Sequence, residues 1–227
     1  MKYLLSLLFV FLSFNINSQN DSDIGAGLQN LTGNSALTAG TWLRNVVTTK
    51  TEGTVYLFED WKTQGVITNV DGKNLSIKGL NYDAKNDAIL AKISKDSVYM
   101  FNNAVIKEVI INKRKFKRYQ NIDNDASYME VLAMNNNIEI LKRNGKKIKK
   151  GIKDPLTQVT APDRYLDDNK IYFKQGNVVQ EIKLKNKSFA KLFGEHSKEI
   201  SNYMSKMKIS VKDETKLQMI LNYYGTL

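Results

Sequence analysis

The sequence lacks cysteine altogether and has a single histidine and two prolines among its 227 residues. Without cysteine no disulfide can form, so the fold must be stabilised by its packed core alone. One histidine, His196, without any cysteine cannot build a structural zinc site or a Cys/His catalytic pair. No serine has the Gly-x-Ser-x-Gly setting of the α/β-hydrolases either. The sequence therefore predicts no catalytic residue, no metal ligand and no cofactor, and favours a protein that is not an enzyme.

Carboxylates leave one enzymatic alternative open. Glycosidases use two of them in a cleft, roughly 5 to 9.5 Å apart. Local pairs occur at Glu59 with Asp60 and at Asp167 with Asp168, but neighbours on a strand point to opposite faces of the sheet. A carboxylate-dependent hydrolase built from distant residues, such as Glu59 and Glu130, remains an alternative interpretation.

Long hydrophobic runs are scarce, and the one present extends from Leu4 to Phe14 after Lys2. It is too short for a transmembrane helix, which needs about 20 apolar residues. A positive start, an apolar stretch and the small residue Ser18 are typical of a cleavable signal peptide, which we place at residues 1–18. No cysteine follows to carry a lipid anchor. We therefore expect an exported protein, periplasmic or secreted, that does not span a membrane.

Acidic side chains are fewer than basic ones. The sequence has 23 aspartates and glutamates and 34 lysines and arginines, which gives a net charge of +11. Removal of residues 1–18 would take away Lys2 and no acid, which leaves 33 basic side chains against 23 acids, or +10. A basic surface favours anionic partners. Lysine predominates over arginine and is spread along the chain, which does not indicate a shaped phosphate site. We expect an anionic glycan or lipid head groups as partners, and no specific nucleic acid.

The chain after the signal divides into three parts by composition. Residues 19–50 are rich in Asn, Ser, Thr and Gly and predict a flexible leader, in which Trp42 is a candidate contact with the body. Residues 51–186 alternate short β-branched or aromatic runs with turn residues, which predicts an antiparallel β domain. Asp71 and Gly72 form its strongest hairpin signal. The candidate strands are Val55–Asp60, Gly65–Val70, Asn74–Tyr82, Asp87–Ile93, Ser97–Phe101, Val105–Ile111, Lys115–Tyr119, Tyr128–Met134, Ile138–Arg143, a lysine-rich segment up to Lys150, Ile171–Lys174 and Val178–Leu184.

Residues 187–227 form the third part, where the hydrophobic period changes from two to about 3.6. Apolar residues from Phe189 to Met207 fall on one stripe and predict an amphipathic helix. Ser210 and Asp213 form a capping-box-like start of a second helix that ends at Gly225. The predicted fold class is therefore α+β, mainly β: an antiparallel β meander, curved or partly closed, with two C-terminal helices packed on it.

Two basic blocks are candidate binding sites. The first, residues 113–119, interleaves cations with Phe116 and Tyr119, an arrangement that can stack bases or sugars. On a strand these two aromatic side chains point to opposite faces, which favours a solvated edge strand guarded by lysines. The second block surrounds the turn at Asn144 and Gly145, and the blocks merge into one patch if their hairpins are neighbours. The predicted ligand-binding residues are Lys113, Arg114, Lys115, Lys117, Arg118, Lys146 and Lys147.

A curved sheet offers a further alternative, a cavity for an apolar ligand. The protein would then be a periplasmic carrier or chaperone for a lipid-like molecule, bound among Trp61, Tyr99, Phe101 and Met129. An empty apolar concavity beneath the helices would favour this function.

Several short segments carry a resemblance to a known group of proteins. They are Tyr56-Leu57-Phe58 with Trp61, Asn81-Tyr82-Asp83, residues 91–98 and residues 221–224. Together with the Asn- and Lys-rich composition, these segments resemble uncharacterised exported proteins of flavobacteria and their relatives. The resemblance covers most of the chain after the signal, and it implies the compartment but no activity, ligand or site residue.

Overall fold

The structure is a computed structural model that describes residues 40–44, 51–95, 97–120 and 126–227. The predicted signal peptide at residues 1–18 and most of the predicted leader lie outside the described residues. The described part is mainly antiparallel β with helices at its C-terminal end, and its sheets are not closed into a barrel. The predicted fold class, α+β and mainly β, is confirmed.

The strands and helices have the following bounds. The strands are β1 Thr41–Arg44, β2 Gln64–Asn69, β3 Asn74–Lys78, β4 Leu80–Asp83, β5 Ala88–Lys92, β6 Ser97–Met100, β7 Ile106–Ile111, β8 Arg114–Gln120, β9 Ala126–Met134, β10 Ile138–Arg143, β11 Lys146–Lys149, β12 Arg164–Asp167, β13 Lys170–Gln175 and β14 Val178–Ile182. The α-helices are α1 Asn186–Ala190, α2 Ser197–Lys206 and α3 Leu217–Tyr224, and shorter 3-10 segments span Asn103–Val105, Lys191–His196 and Glu214–Lys216. None of the described helices is long and apolar enough to cross a membrane.

Three antiparallel sheets are formed. The largest has eight strands in the order β14-β13-β10-β9-β8-β7-β2-β3, so its centre is a meander of consecutive strands. A four-stranded sheet has the order β1-β6-β5-β4, and β11 pairs with β12 in a separate two-stranded ribbon. Strand β1 lies within the segment predicted as a leader, and its Trp42 ring packs edge-on against Tyr99 at 5.1 Å, as predicted for a contact with the body.

One face of the eight-stranded sheet carries both apolar clusters that form the core. Phe116 pairs with Glu130, and Glu130 pairs with Lys142, so these side chains share a face. On one half of that face, Phe116 and its neighbours pack against the four-stranded sheet. On the other half, Ile140 and Phe173 pack against the C-terminal helices. The second layer of the molecule is therefore half sheet and half helix.

Gly79 divides a segment that was predicted as one strand, Asn74–Tyr82. Its φ of +72° lies in the left-handed region, where a side chain is disfavoured. The carbonyl oxygen of Lys92 would also lie 3.0 Å from a Cβ at this position. The chain therefore leaves the eight-stranded sheet after β3 and enters the four-stranded sheet at β4, so the single predicted strand is wrong.

Residues Val55–Asp60, also predicted as a strand, form only an isolated bridge between Tyr56 and Asp83. The buried side chain of Asn81 forms hydrogen bonds with backbone groups of Phe58 that a partner strand would otherwise bond. Its oxygen accepts from the N–H of Phe58 at 3.2 Å, and its amide donates to the Phe58 carbonyl at 2.9 Å. The strand prediction failed here because a side chain replaces the partner strand.

The first of the two predicted helices is bent. Gly194 has φ 59° and ψ −123°, which kinks the 3-10 segment Lys191–His196 after α1 and lets α2 start in a new direction. The side chain of Asp213 accepts from the N–H of Thr215 at 3.3 Å and caps the 3-10 segment that leads into α3. The side chain of Ser210 accepts from the N–H of Lys212 at 3.4 Å and not from that of Asp213, so the predicted capping box of these two residues is wrong. The helices bury Phe189, Ile200 and other apolar residues against the sheet.

Candidate anionic-ligand site

Arg114, in the predicted basic block on β8, is part of a buried ion pair. Its Nε donates to Glu130 Oε1 at 2.6 Å, and its Nη2 donates to the second carboxylate oxygen. The amide of Asn144 donates to the same carboxylate at 3.1 Å. The guanidinium lies 5.4 Å from the Phe58 ring centre and 5.7 Å from that of Phe116. Arg114 therefore holds the structure together and is not free to bind a ligand.

Three of the four remaining cations of this block also have internal partners. Lys115 and Lys117 lie 3.2 and 3.8 Å from the carboxylate of Glu108 on the neighbouring strand. Arg118 donates to the carbonyl of Ala126 at 2.9 Å. Lys113, in the turn before β8, is exposed. Most of the predicted charge is thus compensated within the protein.

Alternation along β8 separates its aromatic residues, as predicted. Phe116 is buried in the core between the sheets. Tyr119, on the opposite face, donates its hydroxyl to Glu139, which also accepts from Lys174 at 2.9 Å. Burial acts to raise the pKa of Glu139, but these two hydrogen bonds outweigh it and hold that pKa below its ordinary value. The two rings form no common stacking platform.

The second predicted block is compensated in the same way. Lys146 lies 2.6 Å from Asp167, and Lys147 lies 2.7 Å from Asp168, across the ribbon of β11 and β12. The hydrogen bond from Lys147 lowers the pKa of Asp168. The two blocks do meet, because Arg114 Nη2 lies 3.4 Å from the side-chain oxygen of Asn144, which precedes β11. The predicted binding residues of the two blocks, apart from Lys113, therefore already have partners within the protein.

Four cations without an acidic partner among the described residues border an open groove between α1 and α2. The groove has a volume of about 770 Å³ and is bordered by Lys187, Lys191, Lys198 and Lys208. All four lysines are exposed, and none of them forms an ion pair with another described residue. The one acid that borders the groove is Glu195, so its lining carries a net charge of +3.

Polar groups and a buried apolar floor complete the groove. Ser197, Ser201 and Ser205 line it from α2, where a spacing of four residues places them on one side of the helix. Met204 and Ile209 are buried beneath them. The lining thus offers hydroxyl groups and ammonium groups together, which suits a ligand with both hydroxyl and acidic groups.

Lys208 reaches the groove from an unusual backbone position. It follows the end of α2 with a φ of +51°, where glycine is the common residue. The N–H of Ile209 donates to the carbonyl of Met204 at 2.8 Å, and the N–H of Lys208 donates to that of Ser205 at 3.1 Å. This pair of bonds is the Schellman motif that closes a helix. A lysine therefore occupies a position that backbone energetics alone would give to glycine.

His196 lies near this groove but has a packing role. Its ring contacts Tyr224 edge-on, with 5.7 Å between ring centres, and its side chain is about one third exposed. The position agrees with a histidine that packs a helix against its neighbour. Among the described residues no group of three or more histidines or acids is placed to hold a metal ion.

A separate polar cluster surrounds Asp87, which has a φ of +52° at the turn before β5. Its carboxylate accepts from the hydroxyl of Tyr82 at 2.8 Å and from the backbone N–H of Tyr128 at 2.9 Å. The hydroxyl of Tyr128 is buried without a hydrogen-bond partner in the described part of the chain. Burial raises the pKa of Asp87 above its ordinary value.

The Asp87 side chain should make the parent protein less stable as the pH rises. We expect the variant Asp87→Asn not to show this decrease. Because the folded-state pKa of Asp87 is raised, its contribution is fully present below the unfolded pKa of about 4 and is lost as pH rises through the folded pKa. Asparagine keeps the acceptor oxygen and tolerates the left-handed φ. Urea unfolding at pH 4 and pH 7 checks this, and a variant less stable than the parent at pH 7 would contradict it.

The residues named for the two alternative functions are dispersed. Tyr99 and Phe101 are buried in the cluster between the two sheets, whereas Met129 belongs to a small cluster with Leu141 and Tyr172. Trp61 packs on Tyr56 at 4.8 Å. For the hydrolase alternative, Glu130 is engaged by Arg114, while Glu59 is exposed.

Comparison with known proteins found no relative of this chain. Neither the protein-family models, nor the curated proteins, nor the solved structures gave a match to the chain. A functional proposal must therefore be argued from the groove and its charges.

Proposed function

We propose that the protein is an exported, non-enzymatic binding module that holds an anionic glycan in the groove between α1 and α2. The observation that supports this is that four lysines without an acidic partner in the described part of the chain surround one concave surface. The proposal keeps the anionic ligand predicted from the sequence and moves its site from the strands to the helices. The signal-like start and the resemblance to exported flavobacterial proteins support the compartment.

Charge and shape act together in this groove. A concave surface of one sign concentrates its field and raises the local concentration of oppositely charged ligands. Lys115 and Lys117 on β8 and Lys146 and Lys147 on β11 contribute less, because carboxylates at 2.6 to 3.8 Å already compensate them. The serine hydroxyls can both donate and accept hydrogen bonds. The hydroxyl groups of a sugar can use both kinds of bond, whereas a simple inorganic anion can only accept.

The test compares two variants that lose the same charge. Lys191→Gln with Lys198→Gln removes two unpaired lysines from the groove, and Lys115→Gln with Lys117→Gln removes the pair that faces Glu108 on the predicted strand. Binding of fluorescein-labelled dextran sulfate is followed by anisotropy, with neutral dextran as a control ligand. We expect about a tenfold weaker affinity for the groove variant, since two exposed charges contribute up to about 1 kcal/mol each.

The strand variant should bind within about twofold of the parent, because its lysines already have a carboxylate partner. Affinity should also fall between about 0.01 M and 1 M salt, over which the Debye length shrinks from roughly 30 to 3 Å. Equal losses in both variants would mean that only net charge matters. A larger loss in the strand variant, or no binding by the parent protein, would overturn the proposed site.

A further inference from the structure

The ribbon of β11 and β12 continues beyond its paired strands as a narrow hairpin. Lys153 and Thr160 form an antiparallel bridge, and the N–H of Asp154 donates to the carbonyl of Val159 at 2.8 Å. Nearly every residue from 147 to 162 is exposed, the half-buried Gly151 being the exception. The base of the hairpin is held by a bridge between Glu52 and Arg164, and residues 152–160 beyond it project from the body without a described packing partner.

Its tip, residues 152–160, is held by local hydrogen bonds. The carboxylate of Asp154 accepts from the N–H groups of Leu156 and Thr157, both at 2.8 Å. These two hydrogen bonds lower the pKa of Asp154, so the carboxylate stays ionised and keeps both bonds over a wide pH range. Pro155 also fixes the backbone at the start of the turn. The tip is thus an ordered structure that presents its side chains in a defined way.

The side chains that it presents are apolar. Leu156 is 93% exposed, Ile152 is 73% exposed and Val159 is 65% exposed, three of the four highest values among the large hydrophobic residues of the described part. Isolated exposed apolar residues are ordinary, but three within eight residues of one ordered turn mark an interaction surface.

Cations lie directly behind this apolar tip. The segment Lys146–Asp167 contains five lysines and Arg164 against three aspartates, a net charge of +3. Lys150 lies 2.7 Å from Asp163 but is 80% exposed at its side chain. Lys149, before the tip, and Lys153, at its start, have no acidic partner among the described residues. The hairpin thus carries apolar side chains at its end and cations behind them. A lipid surface has the matching order, with acyl chains inside and phosphates outside.

We propose that this hairpin is a membrane-docking element, in which Ile152, Leu156 and Val159 enter the acyl boundary of an anionic lipid surface while Lys149 and Lys153 bind its phosphates. Charge complementarity favours an anionic lipid surface over an apolar protein groove as the partner. In an apolar groove, Lys149 and Lys153 would have no anionic group to bind. The inference is separate from the glycan groove and does not depend on it.

The first test measures insertion directly. Because the chain has no cysteine, Leu156→Cys can be labelled at a single site with the environment-sensitive dye NBD. Val178→Cys, on the exposed edge strand β14, is the matched control because Val178 is 66% exposed. With vesicles of equimolar phosphatidylglycerol and phosphatidylcholine, we expect fluorescence to rise several-fold at position 156 and to stay unchanged at 178. Unchanged fluorescence at 156 would overturn the proposal.

The second test separates tip, cations and groove by vesicle co-sedimentation, with all variants prepared in the same exported form. We expect Leu156→Ser to lower the partition coefficient about tenfold, because one buried leucine side chain is lost from the lipid, whereas Val178→Ser stays within twofold. Lys149→Gln with Lys153→Gln should lower binding about tenfold on the anionic vesicles and leave pure phosphatidylcholine unaffected.

The groove variant Lys191→Gln with Lys198→Gln should keep its vesicle binding within about twofold, since the groove is not part of the proposed lipid contact. If that variant loses vesicle binding and Leu156→Ser does not, the lipid head groups bind in the groove and the docking element is overturned. Failure of dextran sulfate binding, by contrast, bears on the proposed function alone.

Discussion

Replacement of Glu130 by alanine should lower the free energy of unfolding by about 3 kcal/mol, because it breaks a buried ion pair and leaves Arg114 without its carboxylate. Glu130 is only 7% exposed, and it accepts from both Arg114 and Asn144. The Arg114 side chain is about one third exposed and can regain some water, which places the loss near the lower end of the range for such pairs.

Urea unfolding measures this effect as a shift in midpoint at an unchanged slope. The control is Glu181→Ala, which removes an exposed partner 3.1 Å from Lys170 and should change the midpoint little. Glu130→Gln should fall between the parent and the alanine variant, since an amide oxygen still accepts one hydrogen bond. If Glu130→Ala and Glu181→Ala behaved alike, the pair between Arg114 and Glu130 would not be a structural element.

Gly194→Ala should be the next most damaging change, with an expected loss of about 2 kcal/mol from backbone strain. The φ of 59° and ψ of −123° correspond to the first central position of a type II′ turn, which glycine dominates. No heavy atom outside the chain neighbours lies within 4 Å of a Cβ built there. The expected cost is therefore conformational and does not come from a clash.

Thermal unfolding of Gly194→Ala checks this value, with Gly225→Ala as the matched control. Gly225 has an ordinary helical φ of −66°, and a Cβ there would meet its nearest atoms at 3.4 and 3.6 Å. That variant should be neutral or slightly more stable. Because Gly194 bends the chain between the two walls of the groove, its alanine variant should also bind dextran sulfate more weakly. Full stability and full binding together would show that the bend does not depend on glycine.

The features of the fold that could be predicted are those encoded by local pattern. The hairpin at Asp71 and Gly72 and the change of period near residue 187 both depend on residues close in sequence, and both appear in the structure. The division of Asn74–Tyr82 was missed because Gly79 interrupts a pattern that otherwise continues through it. Whether a glycine in a strand pattern bends or breaks the chain depends on what lies nearby, here the carbonyl of Lys92.

Candidate binding residues were harder to choose for a related reason. A basic run such as residues 113–118 is visible in the sequence, but the carboxylates that compensate it are not. Glu108 is brought close by a neighbouring strand, and Glu130 comes from the strand on the other side. The groove lysines combine the lack of an acidic partner among the described residues with a place on one concave surface, and no local sequence pattern reveals either property. Lys208 gave the one local hint, since it follows a helix at the position that glycine usually occupies.

Gly79 also determines how the two sheets can move. Strand β3 is the outermost strand of the eight-stranded sheet, β4 is the outermost strand of the four-stranded sheet, and one residue joins them. Consecutive Cα atoms are about 3.8 Å apart, so the sheets can neither slide nor separate at this edge. A relative displacement of the two sheets at this edge is therefore restricted to a rotation about it.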